Sequence, residues 1–163
     1  MRLLIIGDTH LPKKGPELPV QVIEALSAAD VVAHTGDWQT QGVYEMLKSM
    51  HPHVKGVYGN VDDAYLSSFL PDILQWEEAG YHFGLIHGHE GKGSSTEKRV
   101  QHSFNTNLDV VFFGHSHIPY LRYHGKTLYI NPGSATDKRR VPYRSFAWVE
   151  ISSKGLSVRH EFF

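Results

Sequence analysis

Two imidazoles close the run Val110-Val111-Phe112-Phe113-Gly114-His115-Ser116-His117. An apolar run that stops at a glycine reads as a buried strand ending in a turn. Histidines at i and i+2 of an extended segment point to one side, so His115 and His117 form a claw for a metal ion. The arrangement recurs along the chain. Leu3-Leu4-Ile5-Ile6 ends at Gly7-Asp8-Thr9-His10, and Val31-Val32-Ala33-His34 ends at Thr35-Gly36-Asp37. Val54 to Tyr58 leads to Gly59-Asn60-Val61-Asp62, and Tyr81 to Ile86 leads to His87-Gly88-His89.

Asp8, Asp37, Asn60, His87 and His115 lie 29, 23, 27 and 28 positions apart, close to the roughly 30 residues of a strand-crossover-strand unit. In open α/β sheets ligands bind beyond the carboxyl ends of the strands, so five such ends put their polar residues around one crevice. Two aspartates, an asparagine and four histidines exceed the three protein ligands plus water of one catalytic ion. Two ions are implied. A carboxylate has two oxygens and can bridge, whereas an imidazole or amide oxygen reaches one ion. A pair of ions about 3.5 to 4 Å apart activates a hydroxide and clamps a phosphate. Mixed oxygen and nitrogen donors without sulfur suit manganese, iron, cobalt, nickel or zinc better than calcium.

Composition agrees with this chemistry. Twelve histidines outnumber nine lysines, and the absence of cysteine excludes disulfides, thiolate sites and cysteine nucleophiles. A net charge of -1 offers no global field for nucleic acid or a membrane, so an anionic ligand must be held locally. The apolar run at Leu3–Ile6 is too short for a signal peptide or a spanning helix, and a cytoplasmic location with no membrane association is expected. At 163 residues, one domain over 1–163 is expected.

The elements that must hold these residues alternate. Strands end at Asp8, Asp37 and Asn60, with helical spacing at Val22, Ile23 and Leu26 and again at Val43, Met46, Leu47 and Met50. That is the pattern of parallel crossover units. From Ile73 onward hairpins dominate: Ile73–Trp76 with Tyr81–Ile86, Tyr120–Tyr123 with Thr127–Ile130, and Phe146–Ile151 with Leu156–His160. A helix is expected from Thr96 to Phe104 and a loop over 63–71. Two sheets, the first mostly parallel and the second mostly antiparallel, with helices outside, are predicted.

Asp8-x-His10, Gly36-Asp37, Gly59-Asn60-x-Asp62, His87 and Gly114-His115-x-His117 together resemble the calcineurin-like metallophosphoesterases in order and spacing. Asn131-Pro132-Gly133-Ser134 is similar to the small prokaryotic phosphodiesterase branch of that superfamily. The resemblance implies a four-layer α/β/β/α sandwich of two mixed sheets flanked by helices. It implies a binuclear centre bridged by Asp37, with Asp8, His10 and His117 on one ion and Asn60, His87 and His115 on the other. Manganese is the expected metal, with nickel, iron, cobalt or zinc as alternatives.

One position departs from the pattern. Many members carry a histidine after the asparagine to protonate the leaving group; here it is Val61, which has no proton to give. Either water or His89 substitutes, the substrate has a stable leaving group, or turnover is slow; His89 reads as a support for the ligands ahead of an acid, and Asp37, Asn60 and His89 carry the catalytic expectation. The expected activity is hydrolysis of a small phosphodiester, nucleotides among the candidates, without stable nucleic-acid binding. A homodimer is compatible with that branch. Two other readings are a phosphomonoesterase and a protein-interaction scaffold resembling a subunit of the retromer coat. Lys13, Lys14, Lys92, Lys138, Arg139 and Arg140 read as solvated loop charges, with Arg139 or Arg140 first among them for phosphate contact. His34, His51, His53, His82, His102, His124 and His160 match no motif and read as structural, as do Trp38, Trp76 and Trp148.

Overall fold

In the computed structural model, which describes residues 1–105 and 107–163, ten strands form two five-stranded sheets. The chain runs β1 (Arg2–Ile6), α1 (Val20–Ala28), β2 (Val31–His34), α2 (Gln41–Met50), β3 (Val54–Gly56), α3 (Ala64–Phe69) and β4 (Ile73–Glu78). It continues β5 (Tyr81–Ile86), α4 (Thr96–Gln101), β6 (Val110–Phe113), β7 (Tyr120–His124), β8 (Thr127–Asn131), β9 (Ser145–Ser152) and β10 (Gly155–Phe162). The first sheet is ordered β10-β9-β1-β2-β3 and the second β4-β5-β6-β8-β7.

The alternation of side chains along each strand builds the layers. On β1, Leu3 and Ile5 join Phe83, Leu85, Val110, Phe112, Leu128 and Ile130 in a core shared by both sheets. Leu4 and Ile6 point the other way, into a second core with Val22 and Leu26 of α1, Val43 and Leu47 of α2, and Leu66 of α3. The outer face of the second sheet, through Ile86, Val111 and Phe113, packs on Val100 of α4. Strands buried on both faces read as continuous apolar runs, which is why these four-residue stretches carry no polar alternation. The result is the expected four-layer α/β/β/α sandwich.

The pairing differs from expectation in one respect. Each sheet is evenly mixed: β1·β2, β2·β3, β5·β6 and β6·β8 are parallel, while β1·β9, β9·β10, β4·β5 and β7·β8 are antiparallel. The reason lies in burial. Fully buried β6 needs a partner on each edge, and the β7–β8 hairpin supplies its apolar arm, Thr127–Asn131, leaving exposed Tyr120–His124 at the rim. Hairpin β9–β10 likewise closes the free edge of β1, with Leu3 opposite Val149. Within 63–71, expected as loop, lies α3, capped by Asp63, whose side chain accepts from the Leu66 N–H. Helix α4 stops at Gln101 rather than Phe104, and β3 leaves its ladder at Gly56 rather than Tyr58.

Phe112 sits wholly buried between the sheets and stacks on Phe83 at 5.7 Å. Phe112→Ala is expected to cost about 3–5 kcal/mol, lowering the thermal unfolding midpoint by on the order of 10 °C. Phe112→Leu should lose distinctly less. Differential scanning calorimetry of the three proteins checks this order.

Candidate metal centre

Every candidate ligand sits just beyond the carboxyl end of a strand, in turns that hydrogen-bond to one another. The Asp8 N–H donates to the Gly36 carbonyl and the His10 N–H to the Asp37 carbonyl, both at 3.0 Å. The Gly114 N–H donates to the His87 carbonyl at 3.1 Å, and the His115 N–H to Asp8 Oδ1 at 3.1 Å. The last bond links the two sheets. Gly59 is required by space, because a Cβ there would lie 2.1 Å from Asp37 Oδ1.

Five of the seven candidates hold left-handed backbone: Asp8 (φ 50°), His10 (49°), Asp37 (57°), His115 (65°) and His117 (59°). That conformation is uncommon for residues with a Cβ and costs roughly 1–2 kcal/mol each. Surrounding bonds hold the turns there. Ser134 Oγ donates to the Asp8 carbonyl at 2.7 Å, and the Thr136 hydroxyl donates to the Thr9 carbonyl. Asn131 Nδ2 donates to the Gly114 carbonyl at 2.8 Å and to Ser116 Oγ at 3.1 Å. The Asn131-Pro132-Gly133-Ser134 segment thus braces two ligand turns from behind.

The donor atoms converge. His10 Nε2 lies 3.2 Å from His117 Nε2 and 3.4 Å from Asp37 Oδ2, and His117 Nε2 lies 3.5 Å from Asp8 Oδ1. On the other side, His87 Nε2 is 3.2 Å from Asp37 Oδ1 and 3.1 Å from Asn60 Oδ1, which is 3.0 Å from His115 Nδ1. Metal bonds of about 2.1 Å to nitrogen or oxygen place neighbouring donors roughly 3.0–3.4 Å apart, the spacing seen here. Asp8, His10 and His117 form one group able to hold an ion, and Asp8, Asp37 and His87 another.

Tautomers show why a cation fits. His87 Nδ1 is 2.8 Å from the Thr35 carbonyl and His117 Nδ1 bonds the Asp137 carbonyl, so in neutral rings the proton is on Nδ1. Each Nε2 then carries a lone pair aimed at other acceptors. Buried Asp8 Oδ2 has no hydrogen-bond partner among the described residues. Lone pair facing lone pair is repulsive unless a positive charge sits between them.

Electrostatics follow from the same crowding. Burial pushes the Asp8 carboxyl up to about 7, aided by Asp37 and opposed by His87. Burial alone would raise Asp37 too, but the hydrogen bond and charge of His87, the Val61 N–H and His10 hold it well below the usual carboxylate range. Burial, with the charge of His87 next, lowers His115 to about 4. Burial lowers His117 to about 4 as well, against the Asp137 carbonyl. Both rings are therefore neutral near pH 7, the form that binds metal. His87 alone is raised: burial opposes its charge, but Asp37 and Asp8 more than compensate.

All seven candidate ligands come together; His89 stands beside them. Its ring is 5.3 Å from His87 and 6.4 Å from His115, its Nε2 is 3.5 Å from the Glu90 carboxylate, and its buried Nδ1 is unpartnered among the described residues. His34, which no motif singled out, supports the site from beneath. Fully buried and stacked on Trp38 at 3.5 Å, it accepts the Gly36 N–H at Nδ1 and meets Thr9 Oγ1 at Nε2, both at 3.2 Å. It therefore ties the Asp8 turn to the Asp37 turn. Its only sequence signal was its place three residues before Asp37. Asp62 shapes the third turn by accepting the N–H groups of Gln39 at 2.6 Å and Gly59 at 2.7 Å.

Residues 1–154 match the calcineurin-like phosphoesterase superfamily domain. A probable metallophosphoesterase of Methanothermobacter thermautotrophicus is 30% identical over 85% of this chain and 80% of that protein. A probable metallophosphoesterase of Methanocaldococcus jannaschii is 31% identical over 94% of this chain and 78% of that one. Among solved structures, a Vps29 of Entamoeba histolytica complexed with zinc superposes with a TM-score of 0.78, at 25% identity, covering 100% of this chain and 98% of that one. With the family model covering β1 to β9 and every turn of the donor cluster, the chain belongs to the calcineurin-like phosphoesterase superfamily.

Proposed function

We propose that the protein is a binuclear metal-dependent phosphodiesterase, with Asp37 as the carboxylate shared by both ions. The observation that carries this reading is the position of Asp37 between two imidazoles, Oδ1 toward His87 and Oδ2 toward His10. Asp8, His10 and His117 complete one ion's ligands, and Asn60, His87 and His115 the other's. Divalent ions held by these residues, manganese by expectation, would supply the acidity that activates a water and the charge that offsets the phosphate. Water attacks phosphorus and gives up one proton to solvent, the P–O bond to the leaving group breaks, and the departing alkoxide takes a proton from solvent.

The residues at hand make that last proton the difficult one. Val61 contributes its backbone N–H, 3.2 Å from Asp37 Oδ1, and no acid. His89 stands on the Asn60, His87 and His115 side; burial, then the charge of His87, lowers its pKa, so near neutrality it offers a hydrogen bond rather than a charge. A diester with an acidic leaving group suits such a site better than a phosphomonoester of an alkyl alcohol, which gains most from an acid. A scaffold would have no need of the full donor set, and retention of all seven favours the enzyme.

Metal-stripped protein should not hydrolyse bis(p-nitrophenyl) phosphate, and manganese should restore turnover. Asp37→Asn and His87→Ala should each lose more than the 10–100-fold typical of a residue outside the ligand shell. Metal-independent turnover, unchanged in both variants, would refute the reading. Val61→His should accelerate esters of poor leaving groups by up to about 10²-fold while changing the nitrophenyl ester little, a contrast read from rates across a leaving-group series.

Metal binding should also be linked to protons. With its carboxyl at about 7, Asp8 holds a proton below that pH which an ion must displace, whereas above it the carboxylate is already bare. Affinity should therefore fall as pH drops through 7. Calorimetry in buffers of different ionisation enthalpy should find more protons released at pH 6 than at pH 8; equal release at both would show that the Asp8 carboxyl is not held up near 7.

A further inference from the structure

On the His117 side of the donor cluster, the segment from β8 to β9 carries three consecutive cations, Lys138, Arg139 and Arg140, all exposed. With Ile118 and Val141 they line a cleft of about 430 Å³ whose inner end is His117. That volume is in the range of small-molecule sites. No carboxylate lines it. The loop's own acid, Asp137, pairs with Lys14 at 3.4 Å, and Lys138 Nζ donates to the Pro142 carbonyl at 2.9 Å. Neither Arg139 nor Arg140 has an ion pair among the described residues. Arg139 is held at φ 47° in a turn closed by the Val141 N–H on the Lys138 carbonyl at 3.0 Å. Left-handed backbone at a residue with a long side chain marks a position shaped for something other than stability.

Counting charge points to the occupant. The single negative charge of a diester is met at the donor cluster itself. Arg139 and Arg140 beyond His117, neither in an ion pair among the described residues, exceed what that phosphate requires. Arginine's planar fork suits a second phosphate, bound through two parallel N–H donors. Ile118, 54% exposed, and Val141 offer an apolar wall for a ring lying between two anions.

Taking the site as the phosphodiesterase proposed above, we infer that this cleft seats the part of the substrate next to the scissile phosphate and that this part carries a second phosphate. The substrate class is then a phosphorylated, nucleotide-like diester, and Arg139 with Arg140 is the specificity-determining pair.

The test compares thymidine 5′-(p-nitrophenyl phosphate) with the same ester bearing a 3′-phosphate, using manganese-loaded protein and the variants Arg139→Gln and Arg140→Gln. In the parent, the 3′-phosphate should raise kcat/KM at least about tenfold, mainly through KM, as charged hydrogen bonds do, and added salt should shrink the preference. In Arg139→Gln the ratio of the two kcat/KM values should fall to about one. Thymidine 3′-monophosphate should shift the backbone resonances of 116–118 and 138–141 in metal-free protein, and do so less in each variant. Cleavage of both esters with no preference in the parent overturns this inference and leaves the phosphodiesterase reading intact. An equal loss on both esters in Arg139→Gln, with the ratio kept, also overturns it, because the guanidinium then serves the scissile phosphate. Failure to cleave either ester removes the phosphodiesterase reading and this inference with it.

Discussion

The structure depends on one constraint: lone pairs that must face each other. The Thr35 carbonyl fixes the proton of neutral His87 on Nδ1, and Nε2 is left aimed at Asp37 Oδ1 and Asn60 Oδ1. His117 is fixed the same way by Asp137 and faces His10 and Asp8. Such a cluster repels itself until a proton or a cation enters, and burial magnifies the repulsion because little water is present to screen it. The raised carboxyl of Asp8 and raised imidazole of His87 are two forms of that unmet demand for positive charge. A metal answers it with better geometry, since one ion satisfies several lone pairs at once whereas a proton satisfies one or two.

Holding this arrangement in place requires more than strand ends. Five residues in left-handed backbone would relax if their turns were free. They are not free, because each turn is braced by another part of the chain: Asp8 by Ser134, the 114–116 turn by Asn131, and Gly36 by His34. Asn131 is in turn covered by His160 of β10, whose Nε2 meets the Asn131 carbonyl at 2.7 Å. Apart from His34 at the end of β2, the bracing groups come from β8 and the turn after it, which supply no ligand. This explains why the chain beyond His117, plain hairpin material by its pattern, is needed to hold ligands that all precede it.

What could be read from the sequence followed from period and phase. The two-faced burial of β1, β2 and β6 produces unbroken apolar runs, and a glycine or polar residue marks where each stops, so the ligand turns stood out at once. Helices α1 and α2 showed themselves by three-to-four spacing. Pairing between distant strands left no comparable trace, because a period of two says which face a residue takes and not which neighbour it meets. Both sheets were accordingly misjudged in their balance of parallel and antiparallel pairs. Six-residue α3 was too short to show a period, and its signal was the Asp63 cap alone. His34 reads as structural for a related reason: its place before the Asp37 turn allows a supporting role, but a histidine at the end of an apolar strand looks like a core residue, and only the distances to Gly36 and Thr9 reveal what it holds.

Val61 separates two roles that one position can carry. Its N–H supports the Asp37 carboxylate whatever the side chain, so the turn tolerates loss of an acid without loss of the ligand geometry. Losing the acid transfers the difficulty of catalysis to the leaving group, which must depart with little help. Binding energy gained far from the reacting bond can offset part of that cost, provided it is realised in the transition state. A cationic cleft beyond His117 is well placed to supply it, because an anchored second phosphate fixes the orientation of the scissile one. On the function proposed above, a side chain without chemistry at 61 and the arginines at 139 and 140 fit together as complementary halves of one strategy, in which positioning compensates for the missing acid.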